Sequence, residues 1–379
     1  MAKRLLIVND DGHGGFFEGL YETPEALVRH LERFKGTGVT DFEWCVSIGT
    51  KVNILSNRFE RFGTGPRTDL AEGRRGDRRA AETLARFAAA GADPLGLAAD
   101  TLKRCGIRTH ASIRMNPDYG ASWMGAWLPN SYNETFYFEH PEWRIVNRDG
   151  SLDAHLSYAF EQVRSRKLQL VKELFDYPVD GIQFDFLRHP PFVGLEQPLA
   201  ERFAQQYGAR LEQTDEKDPR WLKTKSEPMT MFMREARKLA GSRILSARID
   251  HRFYEEQGLD IRTWIGEGLL DVLIVAERGL GGYSMDLKPF VALAGGRCKV
   301  LAGEEALCSG HDLTPQEDRL LAQGKPVNVE RRKLSLEEYK ERAKLWLGQG
   351  ADGVHLFNDY HRFELYPELA QVLAGTRLP

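Results

Sequence analysis

Short runs of β-branched and aliphatic residues alternate along the chain with longer stretches whose apolar positions recur at three and four spacing. The first pattern suits a strand buried on both faces and the second an amphipathic helix, so their alternation predicts βα units around a parallel sheet. Eight runs read as strands: Leu5 to Val8, Phe42 to Ser47, Thr109 to Met115, Gly181 to Leu187, Ile244 to Ile249, Val272 to Ala276, Lys299 to Ala302 and Gly353 to Phe357. The helical pattern is clearest over Pro24 to Phe34, Arg79 to Ala90, Leu156 to Phe175, Met229 to Leu239 and Leu336 to Leu347. Eight units match a closed barrel better than a doubly wound sheet, and the expectation is an α/β protein, a single (β/α)8 TIM-type barrel spanning residues 1–379.

In such barrels the functional groups stand on the loops that follow the C-terminal ends of the strands. Polar residues collect there in this chain. Strand one runs into Asn9, Asp10 and Asp11, strand three into Arg114 and Asn116, and strand four into Asp185 and Arg188. Strand five ends in Arg248 and Asp250, strand six in Glu277 and Arg278, strand seven in Glu304 and Glu305, and strand eight in Asn358 and Asp359. The loops after strands two, three and four (residues 50–78, 116–153 and 188–225) are long and rich in Gly, Pro and aromatics, a length that marks functional segments. The second of them carries Trp123, Trp127 and Trp143, which offer flat faces for stacking on a sugar ring.

Composition narrows the class. Hydrophobic residues make up 42% and charged residues 28%, as in globular proteins, and the net charge of −3 gives no electrostatic case for nucleic acid or an anionic membrane. The basic run Arg74, Arg75, Arg78 and Arg79 is mixed with Glu72 and Asp77 and reads as a solvated loop or helix start. Cys45, Cys105, Cys298 and Cys308 show no C-x-x-C spacing, which argues against a structural zinc site. The apolar run after Arg4 is too short for a signal peptide and no run reaches membrane-spanning length, so the expected location is cytoplasmic.

The stretch YPVDGIQFDFLRHPPF (177–192) is the most informative. Alternation sends Ile182, Phe184 and Phe186 toward the helices and leaves Gln183 and Asp185 inside the barrel, with Arg188 one turn beyond. DGIQFDFLRHP, with HPEWRIVNRDG (140–150) upstream, resembles the family-10-like glycosyl hydrolase group of TIM barrels. That resemblance covers roughly residues 109 to 192 and implies a carbohydrate-active barrel without transferring a substrate. Glycoside hydrolysis generally uses one acid to protonate the leaving oxygen and a second group as nucleophile or base. Asp185 is the first carboxylate for such a role, whether as nucleophile, base or sugar anchor, and Glu277 is an acid/base expected across the barrel, or else an ion pair with Arg278 or Arg248. Arg114 and Asn116 share a strand face and are expected to hydrogen-bond a ligand, as is Asn358. Arg188 is the natural clamp for a substrate carboxylate, because its planar fork grips two oxygens. The order Asp10 or Asp11, His140, Arg188 is also similar to a family of exo-acting TIM-barrel sialidases, a likeness that implies an aspartate, a histidine and a carboxylate-binding arginine in the site.

Strand one followed by Asn9-Asp10-Asp11-Gly12 resembles the start of the stationary-phase survival nucleotidases, in which adjacent aspartates bind a divalent metal. The likeness ends within about eight residues. In a barrel one aspartate would face the pocket while the other braces the loop or caps the next turn. The reading is therefore a glycoside hydrolase, exo-acting on a carboxylate-bearing sugar such as a sialic or uronic acid glycoside. It is expected to need no metal or other cofactor, to have a carbohydrate as partner and to be open to homo-oligomerisation. A metal-dependent phosphatase using Asp10 and Asp11, or a carbohydrate-binding barrel without turnover, are the alternatives.

Overall fold

The computed structural model describes residues 4–122, 124–277, 285–329 and 332–375. Eight parallel strands close into a barrel: β1 (Leu5–Asp10), β2 (Asp41–Cys45), β3 (Arg108–Arg114), β4 (Gly181–Asp185), β5 (Ile244–Asp250), β6 (Val272–Ala276), β7 (Lys299–Glu305) and β8 (Gly353–Phe357). Each pairs with its sequence neighbours, and β8 closes on β1 with Leu5 opposite Gly353. Gly353 is required there, since a Cβ would lie 2.0 Å from the Leu5 carbonyl oxygen. Among the described residues no helix is long and apolar enough to cross a membrane.

Alternation along the strands sorts side chains into two layers. Leu6, Val8, Phe42, Trp44, Ile182 and Phe184 belong to the large cluster between sheet and helices, where Phe184 meets Phe232 edge-on at 5.4 Å and Phe186 lies 5.4 Å from Trp264. Burial of each such ring contributes roughly 2 to 3 kcal/mol. Leu5, Ile7, Val272, Ile274 and Leu301 form a small separate cluster, the apolar floor inside the barrel. Above it the interior turns polar: Asn9 donates to Glu43, His355 contacts the same carboxylate oxygen at 2.7 Å, and Ser112 hydrogen-bonds to Gln183.

The loops after β2, β3 and β4 carry structure of their own. The β3 loop holds the short helices Trp127–Tyr132 and Thr135–Glu139 and a hairpin pairing Arg144–Val146 with Leu152–Leu156. This hairpin corrects the expected helix from Leu156 to Phe175, which begins only at Glu161. The turn Asn147-Arg148-Asp149-Gly150 closes with Asn147 N–H donating to the Ser151 carbonyl at 2.8 Å and commits the preceding residues to strand. The predicted helix at Met229 begins at Pro219 and runs through Pro228 to Ala240, although an internal proline reads as a boundary. Strand β7 runs three residues further than its apolar run, to Glu305, because Glu304 and Glu305 pair with Leu356 and Phe357 of β8.

Candidate active site at the mouth of the barrel

Two connected cavities open at the C-terminal ends of the strands and share Asp11, His13, Arg74, Arg188 and Asp312. The smaller, about 520 Å³, extends to Arg114 and Tyr132, and the larger, about 1240 Å³, to Glu305, Asn358 and Tyr360. Together they form one cleft.

Alternation decides which carboxylates reach it. Leu5, Ile7 and Asn9 point into the barrel, so Leu6, Val8 and Asp10 point out toward the helices. Asp10 is wholly buried, accepting from the Tyr21 hydroxyl at 2.6 Å and from Gly12 N–H at 2.8 Å. Burial, helped by the neighbouring Asp11 charge, pushes its carboxyl up to about 7. Gly12 turns the chain with φ of 71°, a left-handed conformation beside the Cys45 carbonyl that admits no Cβ. The turn brings Asp11 into the cleft. Its Oδ1 accepts from His13 N–H (3.1 Å) and Gly14 N–H (2.8 Å), and its Oδ2 lies 3.6 Å from Arg114. Burial would raise the Asp11 carboxyl, but the Arg114 and His13 charges and these N–H groups outweigh it and hold the group below the usual range.

The same parity acts on β7. Leu301 is inside, so Gly303 and Glu305 follow it, whereas Glu304 turns outward to Arg342, whose Nη1 approaches its two oxygens at 3.1 and 2.8 Å. Burial lifts Glu304 to about 8 against the pull of Arg342. Glu305 lines the cleft, and Arg248 (3.0 Å) and Arg188 (3.4 Å) both contact its Oε1. Burial is again outweighed, here by the two guanidinium charges, and Glu305 is held below the usual carboxylate range. Because both contacts fall on Oε1, Oε2 is the oxygen able to meet a ligand. Arg188 is 30% exposed in its side chain and, among the described residues, makes this one long ion pair and lies 5.4 Å from the centre of the Phe357 ring, which leaves most of its fork available to an anion. Asn358 enters the cleft from the turn after β8 with φ of 56°, a conformation uncommon outside glycine, and its Oδ1 is buried without a hydrogen-bond partner among the described residues.

Of the residues singled out in the sequence, the cleft thus gathers Asp11, Arg114, Arg188 and Asn358. Others lie elsewhere. Asp185 does not line the cleft; it is 1% exposed, accepts from Leu187 N–H at 3.1 Å and lies 3.3 Å from Arg248. Glu277 is paired with Arg252 at 2.9 Å, neither of the partners expected for it, and Arg278 lies outside the described residues, as does Trp123. His140 and Trp143 stack on each other at 3.7 Å on the β3 loop, away from the cleft, with His140 3.1 Å from Glu142. Trp127 is 6% exposed, packed edge-on to Tyr132 and lining a shallow surface pocket beside Glu72 and Arg319. Asn116 donates to the Pro191 carbonyl and borders a separate cavity of about 510 Å³. Asp10 and Asp11 diverge rather than converge on one ion, and among the described residues no group of three His, Cys, Asp or Glu side chains is placed to hold a metal.

Residues not expected in the site complete it. His13 lines both cavities and lies 3.3 Å from Asp77. Arg74 grips Asp77 through Nε (2.9 Å) and Nη2 (3.1 Å), and both side chains are buried at the start of the helix Arg75–Ala89. The basic run is thus the helix start expected for it, with Arg75 and Arg79 exposed, and Arg74 alone departs from the solvated reading. Burial would raise Asp77, but its bonds with His13 and Arg74 hold it well below the usual carboxylate range. The chain segment after β7 walls the cleft through Ala306, Leu307, Asp312 and Leu313 and is fastened across it by Asp318, which accepts from Arg75 N–H at 2.8 Å and from its guanidinium at 3.1 Å.

No family model matches the sequence, and neither does any curated protein. Solved structures are similar in fold. A β-galactosidase from Rahnella sp. R3 superposes with a TM-score of 0.57 at 12% identity, over 98% of this chain and 56% of that one. A β-galactosidase from the psychrophilic Marinomonas ef1 gives 0.55 at 12% identity, over 97% and 59%. The catalytic domain of a β-amylase from Paenibacillus polymyxa gives 0.53 at 12% identity, over 94% and 92%. The chain therefore spans little more than half the length of the two galactosidases, and at this identity the likeness is one of fold.

Proposed function

We propose that the chain is a glycoside hydrolase, exo-acting on a sugar that carries a carboxylate. The observation that carries this reading is the meeting, in one cleft, of Asp11 and Glu305 with Arg188: two carboxylates held ionised beside a guanidinium with spare donors. An oxocarbenium-like transition state needs a fixed negative charge at the anomeric carbon, and a low carboxyl pKa suits a nucleophile or a charge stabiliser. Arg188, with Arg114 behind Asp11, supplies the positive field for a substrate carboxylate. The wall fastened by Asp318 closes one side of the cleft, which favours a terminal sugar over the interior of a chain. The likeness in fold to proteins described as β-galactosidases and a β-amylase, and the resemblance to family-10-like and sialidase barrels, support the reaction class.

The test is hydrolysis of aryl glycosides of sialic and uronic acids beside neutral galactosides and glucosides, with EDTA present. Cleavage of an acidic glycoside is expected, with losses on the order of 10³-fold in Asp11→Asn and Glu305→Gln. Cleavage confined to neutral sugars removes the carboxylate specificity. Silence on every glycoside removes the hydrolase reading.

A further inference from the structure

A glycoside whose leaving group is a poor one needs a proton delivered to the departing oxygen. The carboxylates facing the cleft at Asp11 and Glu305 are both held in the ionised form, so neither is suited to deliver it. The two carboxyls that burial raises to about 7 and about 8, Asp10 and Glu304, are turned into the wall against Tyr21 and Arg342. His13 is placed differently. It sits one residue beyond the Gly12 turn, lines both arms of the cleft and is 15% exposed in its side chain. Its Nε2 is enclosed and lies 3.3 Å from Oδ1 of Asp77, an ion-pair contact outside hydrogen-bond geometry, so Nδ1 is the ring nitrogen available to a ligand. Asp77 has no exposure and is fixed in turn by Arg74 and by the Tyr132 hydroxyl, which donates at 2.6 Å. The imidazole is packed by Phe17, Phe62 and Tyr132 at ring distances of 5.2, 5.6 and 5.9 Å. An imidazole whose far nitrogen faces a buried carboxylate is the arrangement from which a histidine moves protons once that contact closes to a hydrogen bond.

We infer that His13, oriented by Asp77, is the proton donor and acceptor of the cleft, an assignment that rests on the glycoside hydrolase reading above. As the bond between the anomeric carbon and the glycosidic oxygen breaks, the proton on Nδ1 passes to that oxygen and the aglycone leaves as a neutral alcohol. Glu305, on a strand apart from His13, forms a new bond to the anomeric carbon through Oε2. Neutral His13 then takes a proton from water as the water oxygen displaces the Glu305 carboxylate, which restores imidazolium and carboxylate and releases the sugar. One water is consumed and no other reactant is needed. Asp77 touches no substrate and is a positioning residue. The charged and titratable groups facing the ring are Asp77 and Arg74 from the helix Arg75–Ala89 and its start, Asp11 from its own turn and Tyr132 from the β3 loop, with Arg188 and Asp312 along the same cleft.

The experiment compares wild type, His13→Gln and Asp77→Asn on acidic aryl glycosides graded from dinitrophenyl, which leaves without help, to unsubstituted phenyl. In His13→Gln the expected loss in kcat/KM is about 10³-fold for phenyl and under about 10-fold for dinitrophenyl. Asp77→Asn should show the same grading with smaller amplitude. Should His13→Gln not fold, Asp77→Asn decides: its loss for phenyl should exceed its loss for dinitrophenyl. A loss equal across the series or no loss at all in the variant that decides overturns the assignment. Wild type inactive on every member overturns instead the glycoside hydrolase reading on which it rests.

Discussion

Arg248 reaches Asp185 with Nη1 at 3.3 Å and has no solvent exposure at all. Its Nη2 donates to Glu305 at 3.0 Å and its guanidinium lies 4.0 Å from the centre of the Phe357 ring. One buried cation thus ties the end of β4 to the end of β7 and holds Glu305 in the cleft. Removing Asp185 leaves the buried Arg248 charge compensated by Glu305 alone, and Asp185→Ala should cost about 2 kcal/mol in chemical unfolding. Asp185→Asn keeps the shape and should retain measurable turnover, in contrast to Glu305→Gln. An Asp185→Asn enzyme as inactive as Glu305→Gln would return the chemistry to β4.

Arg188 and its lysine replacement separate geometry from charge. Lysine keeps the positive charge but loses the planar fork, so Arg188→Lys should raise KM for an acidic glycoside about 30-fold with little change in kcat. KM for a neutral aryl glycoside should stay within about threefold. Equal effects on both substrates would mean that Arg188 serves Glu305 and not a substrate carboxylate.

Asp10 makes stability depend on pH. Its folded carboxyl is raised to about 7 by burial and the Asp11 charge, so between about pH 4 and 7 the unfolded chain has released a proton that the folded chain retains. The contribution of Asp10 to stability is therefore greatest below pH 4, falls as pH rises and levels off above about 7. Asp10→Asn removes this titration and should flatten the dependence, gaining on the order of 2 kcal/mol relative to wild type at pH 8 over pH 4.5. Unfolding curves at the two pH values measure it, and parallel shifts of both proteins would rule the effect out.

The clasp between Asp318 and Arg75 holds the wall of the cleft but lies near the surface, where the Arg75 side chain is 50% exposed. Asp318→Ala should leave the melting temperature within about 2 °C while raising hydrogen exchange in residues 307–322. KM for a terminal acidic sugar should rise severalfold. Unchanged exchange in that segment would show that the wall stands without the clasp.

What the sequence determined by itself is the barrel. Eight short apolar runs, each followed by an amphipathic stretch, leave few ways to bury both faces of every strand, and the strands occur at the eight places where those runs stand. Alternation also carries part of the site: counting by twos from the inward Leu301 reaches Glu305, and from Leu5 it reaches Asp11. Tertiary structure alone decided the partners. His13 meets Asp77 across 64 residues of chain because the helix beginning at Arg75 docks beside the turn after β1, and no local spacing encodes that approach. The aromatic segment around His140 and Trp143 had the composition of a sugar platform, yet its rings satisfy each other on the β3 loop. Local pattern dictates which face of an element is apolar, because burial is periodic along the backbone. Which polar groups converge is set by long-range packing, because ion pairs and hydrogen bonds depend on distances that the order of residues does not contain.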